Sequence, residues 1–262
     1  MPRVSSREAS IYYEVHGEVH GGRWPIAFAH GAGGNTLIWW RQVPYFSARY
    51  RVVTFDHRCF GRSLCPPEAF RPELFCEDLI AVLDAERIER VALVCQSMGG
   101  WTGLRMALEH PDRLSCLVLC GTPGGIVTDR ILEAIDQIAI GASETGIRGN
   151  AALSEAFQRR EPELAFLYDQ IAGLNTGFSP QLLGRLATMP VQPEALRAHE
   201  TPTLVISGEE DPLFPTEAIR EVAGLIPGAE LETIPGSGHS PYYEMPDRFN
   251  RLVDGFLSKQ AG

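Results

Sequence analysis

The sequence predicts an α/β domain built on an open, doubly wound and mostly parallel sheet. Three observations predict it. The strand candidates are short, continuous apolar runs, as strands buried on both faces require. They alternate with amphipathic helical stretches, which cover the two faces of such a sheet. Several of them run directly into loops rich in glycine or in polar residues, where an open parallel sheet binds ligands.

The elements follow in order. Residues 11–15 (IYYEV) and 25–29 (PIAFA) read as strands, the second ending in a glycine-rich loop. Residues 37–47 read as a helix with Trp40, Val43 and Phe46 on one face, and 51–55 (RVVTF) as a strand. An amphipathic helix is expected over 73–88, with Leu79, Ile80, Val82 and Leu83 as its apolar side. Strand 91–95 (VALVC) leads into a helix over 98–109, and 116–119 (CLVL) is again a strand. Later come strand 203–206, helix 216–226, strand 230–234 and a final helix over 247–258. Between residues 122 and 200 the rhythm breaks into helical patterns with no strand. This stretch reads as a helical insertion at the ligand-binding edge, placed to cover a ligand.

Composition narrows the function. The chain has 262 residues, 44% of them apolar and 21% charged, with a net charge of −10. That is globular composition. The negative charge argues against nucleic acid or an anionic membrane surface as partner, because phosphate groups need a positive surface. Residues 1–15 lack the basic start and apolar run of a secretion signal, and no apolar stretch reaches the ~20 residues that span a bilayer. A soluble cytoplasmic protein is expected. The six cysteines, Cys59, Cys65, Cys76, Cys95, Cys116 and Cys120, contain no CxxC pair. They read as buried free thiols rather than a zinc cluster.

The chemistry starts at Cys95-Gln96-Ser97-Met98-Gly99-Gly100, between a strand and a helix. A turn this tight strains its central residue and lifts that side chain above the sheet. Ser97 would then sit at a helix N-terminus, whose positive end and free N–H groups suit a developing oxyanion. A serine hydroxyl needs a base, and the base needs an orienting acid. His239 in PGSGH follows the last strand, and Asp211 in GEEDP follows strand 203–206. Glu209 and Glu210 are rival acids. Asp211 is preferred because it lies farther from the strand end and precedes the turn-forming Pro212. The order Ser97, Asp211, His239 is the one this architecture uses. His16, His20, His110 and His199 lie at element ends or in loops, and His57 follows a strand without a matching acid. In His30-Gly31-Ala32-Gly33-Gly34, glycines free the backbone N–H groups to point inward. One of them, Ala32 first and Gly31 or Gly33 otherwise, would pair with the Met98 N–H as an oxyanion hole.

With these motifs assembled, the sequence resembles the α/β-hydrolase superfamily from about residue 11 to residue 257. The stretch Asp56-His57-Arg58-Cys59-Phe60-Gly61-Arg62-Ser63 is similar to the family's D-x-R-G-x-G-x-S turn, with Cys59 in place of a glycine. Cys95 likewise replaces the first glycine of G-x-S-x-G. The resemblance implies an eight-stranded, mostly parallel sheet with helices on both faces and a helical cap inserted after the sixth strand. The core would be residues 1–122 and 200–262 and the cap 123–199. Within the superfamily the chain looks most like the capped esterase, enol-lactonase and cofactor-free haloperoxidase group.

That resemblance implies a serine hydrolase acting on a carboxylic ester or lactone, with no metal or organic cofactor. Superfamily members that open epoxides or remove halides use aspartate at the position of Ser97, so those activities are excluded. A C–C bond hydrolase, perhydrolase or lyase using the same residues is the alternative enzyme class. A ligand-binding signalling protein of the same fold is the alternative outside catalysis. Trp39, Trp40, Trp101, Phe157 and Tyr242 are the candidates for lining a hydrophobic substrate site. Arg130, Arg148, Arg159 and Arg160 could recognise a carboxylate or form a solvated helix face. The oligomeric state and natural substrate are not encoded in any motif.

Overall fold

In a computed structural model, which describes residues 2–18, 23–145 and 149–260, the eight strands form one sheet in the order β1-β2-β4-β3-β5-β6-β7-β8. They span Arg3–Ser6 (β1), Ala9–His16 (β2), Ile26–Ala29 (β3), Val52–Phe55 (β4), Val91–Gln96 (β5), Leu114–Cys120 (β6), Thr203–Gly208 (β7) and Glu230–Ile234 (β8). β1 pairs antiparallel with β2, and β2 antiparallel with β4. Every other neighbouring pair is parallel.

Burial explains the composition of the strands. β3 to β7 are buried at every residue, so both faces of each must be apolar. Alternate residues feed two cores. Ala27, Ala29, Leu93 and Leu117 pack on one face, against α2 (Phe75–Ala85), α3 (Gly99–Glu109) and α7 (Thr216–Leu225). Ile26, Phe28, Val94 and Val118 pack on the other, against α1 (Gln42–Ser47) and α9 (Pro246–Gln260). At the sheet edge, β8 alternates exposed and part-buried residues.

The structure corrects several sequence expectations. β1 (RVSS) escaped them because it is a polar edge strand whose one buried residue is Ser6. The helix expected over 37–47 is divided into a 3-10 turn, Thr36–Trp39, and α1. Pro44 explains the division, since it has no N–H to bond back to Trp40 in a continuous helix. The helix expected over 73–88 ends at Ala85, and Arg87 turns left-handed at φ 55°. Arg87 N–H donates to Asp84 and Ile88 N–H to Leu83, closing a Schellman cap.

Between β6 and β7 the described residues form α4 (Asp129–Thr145), α5 (Glu155–Arg160), α6 (Pro162–Gly173) and short 3-10 turns, with a single bridge pairing Ile126 and Val191. No described helix is long and apolar enough to cross a membrane. His20 and Arg148 lie outside the described residues.

Candidate active site

Because the six strands from β4 across to β8 run parallel, their C-terminal ends share one edge, and every chemical motif emerges there. Ser97 follows β5 with φ 48°, a left-handed backbone at a non-glycine residue. The conformation costs on the order of 1–3 kcal/mol and persists where its surroundings over-determine it. Ser97 N–H donates to Cys120 O at 3.0 Å, and its carbonyl accepts from Gly100 N–H at 2.8 Å. Close approach explains Gly99 in the same turn, since a Cβ there would lie 2.3 Å from the Ala29 carbonyl oxygen.

The side chains of Asp211 and His239 meet. His239 Nδ1 lies 2.9 Å from Asp211 Oδ2, with the two side chains 2% and 0% exposed. The other carboxylate oxygen of Asp211 accepts from the N–H groups of Leu213 and Phe214 at 2.8 and 3.0 Å. Of the three neighbouring acids only Asp211 reaches the ring. Glu209 turns outward to Gly236 N–H, and Glu210 is exposed. Nδ1 faces a carboxylate and therefore carries the proton, which leaves Nε2 as the basic nitrogen. That Nε2 is buried and makes no hydrogen bond, so none joins it to Ser97 Oγ in this conformation. Catalytic hydrogen bonds commonly tighten only when substrate binds. Gln96 Nε2, one residue before Ser97, donates to the His239 carbonyl at 3.1 Å and ties the two loops together. Gly121, at φ 55°, leaves room for the pair. A Cβ there would stand 3.2 Å from His239 Nδ1 and 3.4 Å from Asp211 Oδ2.

The loop after β3 passes directly over the serine. A Cβ on Gly31 would lie 2.9 Å from that of Ser97. Ala32 is half-buried and Met98 buried, and among the described residues neither N–H is taken by another main-chain group. His30 holds this loop. Its Nδ1 donates to Gly31 O at 2.7 Å, and its Nε2 accepts from His57 N–H at 3.0 Å. His57 in turn lies 2.9 Å from Thr102 Oγ1. Both rings belong to this support.

Burial lowers the pKa of His30 from 6.5 to about 4, opposed by its bond to Gly31. Below pH 6.5 the unfolded chain therefore binds a proton that the folded chain refuses. The contribution of His30 to stability is intact above pH 6.5, falls as pH drops towards 4, and totals about 3 kcal/mol. Denaturant titrations between pH 7 and pH 4.5 are expected to show this slope, and a His30→Gln variant a flatter one. Equal slopes in the two proteins would refute the assignment.

The aromatic candidates divide. Trp101 packs beside Ala32 and Met98 and donates to Leu186 O at 3.3 Å. Trp39 is instead fully buried between Phe28 and Tyr242, and Tyr242 packs onward against Phe249. Phe157 is buried with Tyr243, and Trp40 is exposed at the surface. Large rings near functional loops are drawn into the core because each removes so much apolar area from water. Ala32 and Met98 instead share an apolar cluster with Phe60, Phe178, Leu182 and Leu186, which sequence reasoning missed. The three arginine candidates within the described residues pair with acids: Arg130 with Glu221, Arg159 with Glu155 and Arg160 with Glu161.

Sequence reasoning also missed how the insertion grips the histidine loop. Glu244, in α8 (Pro241–Glu244), accepts from Gly238 N–H at 3.0 Å and from Ser154 Oγ at 2.7 Å. Tyr168 OH lies 2.9 Å from Ser240 Oγ. The residues before and after His239 are thus each tied to the segment between β6 and β7. Among the described residues no group of three or more His, Cys, Asp or Glu side chains is placed to hold a metal ion.

The comparisons agree with this geometry. Residues 26–252 match the alpha/beta hydrolase family. The chain is 30% identical over 271 residues to a putative carbamate hydrolase, RutD, of Caulobacter sp. strain K31, covering 96% of this chain and 97% of the relative. It is 32% identical over 254 residues to the 2-hydroxymuconate semialdehyde hydrolase of Pseudomonas sp. strain CF600, covering 91% and 88%. Among solved structures, Est816, described as an N-acyl homoserine lactone degrading enzyme, superposes with a TM-score of 0.81 at 29% identity, covering 97% of this chain and all of that one. With its strand order, its strained serine turn and a match over most of its length, the chain belongs to the alpha/beta hydrolase family.

Proposed function

We propose that the protein is a serine hydrolase that cleaves a carboxylic ester or lactone of a small hydrophobic substrate through an acyl-enzyme. The observation that carries this reading is the buried Asp211–His239 pair, whose basic Nε2 is left without a partner at the strand edge that also presents Ser97. Similarity to a lactone-degrading enzyme supports it. Residues 123–199 act as the cap of the site.

In this mechanism His239 Nε2 takes the Ser97 hydroxyl proton as Oγ attacks the substrate carbonyl carbon. The N–H groups of Ala32 and Met98 hold the oxyanion that forms. Collapse breaks the bond to the alkoxy group, which leaves as alcohol with the proton from His239. Water then gives a proton to His239, attacks the acyl-enzyme and releases the acid, and Ser97 recovers its proton. Asp211 fixes the imidazole tautomer and stabilises the imidazolium. The apolar cluster of Phe60, Phe178, Leu182 and Leu186 beside Ala32 and Met98 favours an apolar acyl or alcohol group.

Cleavage of a C–C bond by the same residues is the second reading, favoured by the 32% identity to a semialdehyde hydrolase. Both readings need an activated serine, and a fluorophosphonate probe tests that before any substrate is known. A single adduct on Ser97, located by intact mass and tandem fragmentation, is the expected result. Labelling elsewhere, or none, sinks both readings. p-Nitrophenyl esters assayed against vinylogous diketones then separate them.

A further inference from the structure

Cys59 and Cys65 are not the free thiols expected from the sequence. They are joined as a disulfide that closes a ring of seven residues, 59–65, after β4. The other four cysteines are free and buried, and burial pushes all four thiols well up, those of Cys76 and Cys116 to about 12. The bridged pair is therefore the part of the sulfur chemistry open to the solvent, through the half-buried Cys65.

The ring is a docking ledge for the segment between β6 and β7. Phe60 stacks on Phe178 with ring centres 4.3 Å apart. Gly61 N–H donates to Asn175 Oδ1 at 2.9 Å, and Asn175 also accepts from Asn35 at the end of the loop after β3. Gly177 sits so close to the Cys59 carbonyl that a Cβ would lie 3.0 Å from it. Directly after the ring, the carbonyls of Pro67 and Phe70 each accept from Arg185 Nη1 at 2.9 Å. Both cysteines pack in the apolar cluster that contains Ala32, Met98 and Trp101.

Cys59 holds φ 69°, in the left-handed region, at the position where the resembled turn carries glycine. A residue with a Cβ keeps that conformation only under constraint. The crosslink supplies one, and the Cys59 N–H bond to Ser63 O supplies another.

We propose that Cys59 and Cys65 are a reversible thiol–disulfide site, reduced by a small dithiol, that sets how firmly the helical insertion is held on the 59–70 ledge. In the exchange a thiolate of the dithiol attacks Cys65 Sγ. The S–S bond breaks, and Cys59 leaves as a thiolate that takes a proton from water. The second thiol of the reductant attacks its own sulfur in the mixed disulfide, giving Cys65 as a thiol and the reductant as a cyclic disulfide. The protein gains two electrons and two protons, and the dithiol loses them. The inference does not rest on the ester reading, because its test needs no activity.

Arg185 is the reporter, since trypsin cleaves after it only when its side chain is released from the ledge. The intact protein is oxidised, divided, and treated or not with dithiothreitol. Free thiols are counted on the denatured chain with alkylation of the samples at the moment of quenching, and circular dichroism confirms the fold. Reduction is expected to raise the count by two and to speed cleavage after Arg185 several-fold, and reoxidation to restore both. A Cys59→Gly/Cys65→Ala double variant is expected to be cleaved slowly with or without reductant, because glycine adopts the left-handed turn without a crosslink. Equal cleavage of oxidised and reduced wild type would overturn the proposal. So would six thiols in the oxidised protein, outright unfolding on reduction, or a reductant response in the double variant.

Discussion

Ser97→Ala is expected to lower ester turnover on the order of 10⁴- to 10⁶-fold, with the fold intact. The size follows from the role. Without the hydroxyl there is no acyl-enzyme, and only binding and oxyanion stabilisation remain to assist attack by water. The fold is expected to survive because the hydrogen bonds that fix the turn use the Ser97 backbone, and alanine keeps the same Cβ at the same φ. The loss belongs in kcat, with KM little changed, because the hydroxyl acts on the reacting carbon and not on remote parts of the substrate. The fluorophosphonate adduct disappears in the same variant. Asp211→Asn gives the companion result. It keeps the shape of the pair but offers the ring the wrong hydrogen-bonding partner, and its expected loss is about 10⁴-fold. Ester hydrolysis by Ser97→Ala within tenfold of wild type would remove the nucleophile from the mechanism.

What could be read in advance depended on whether the signal was local. β3, β5 and β7 were legible because burial on both faces forces an unbroken apolar run. The serine turn was legible because close packing and a positive φ restrict neighbouring residue types within six positions. The preference for Asp211 over Glu209 and Glu210 rested on a one-residue argument, and of the three it is Asp211 whose carboxylate lies 2.9 Å from His239 Nδ1. Relations between distant residues left no trace. Nothing in the sequence pairs Ser154 with Glu244 or Tyr168 with Ser240, yet those contacts hold the loop that carries His239. Trp39 and Tyr242 misled because an aromatic ring beside a functional loop looks the same whether it faces a substrate or the core. Cys59 and Cys65 misled for a related reason, since six positions of separation says nothing about a turn that folds them back on each other.

Asp78→Ala is expected to destabilise the protein by about 3–5 kcal/mol, a large share of the roughly 5–15 kcal/mol that holds a typical domain together. Arg58 and Asp78 are both 0% exposed and meet through two hydrogen bonds, Nε to Oδ2 at 2.7 Å and Nη2 to Oδ1 at 2.6 Å. Arg58 Nη1 also donates to Ala69 O at 3.1 Å. Burial pushes the Asp78 carboxyl pKa up, against the pull of the guanidinium beside it, which marks a pair whose desolvation cost is large. Removing the carboxylate leaves a permanent cation in an apolar space with one carbonyl for company, and that stranded charge sets the size of the loss. Removing both charges is expected to cost far less. An Arg58→Met/Asp78→Leu variant is expected to recover most of the lost stability, since buried pairs replaced by packed apolar side chains come close to neutral. Denaturant midpoints of the single and double variants decide the matter. A single variant that loses less than about 1 kcal/mol, or a double variant no better than the single one, would mean that water reaches Arg58 and that the pair is not the closed contact described. The consequence extends to the site, because Arg58 directly precedes Cys59 and anchors the start of the ring on which Phe60 meets Phe178.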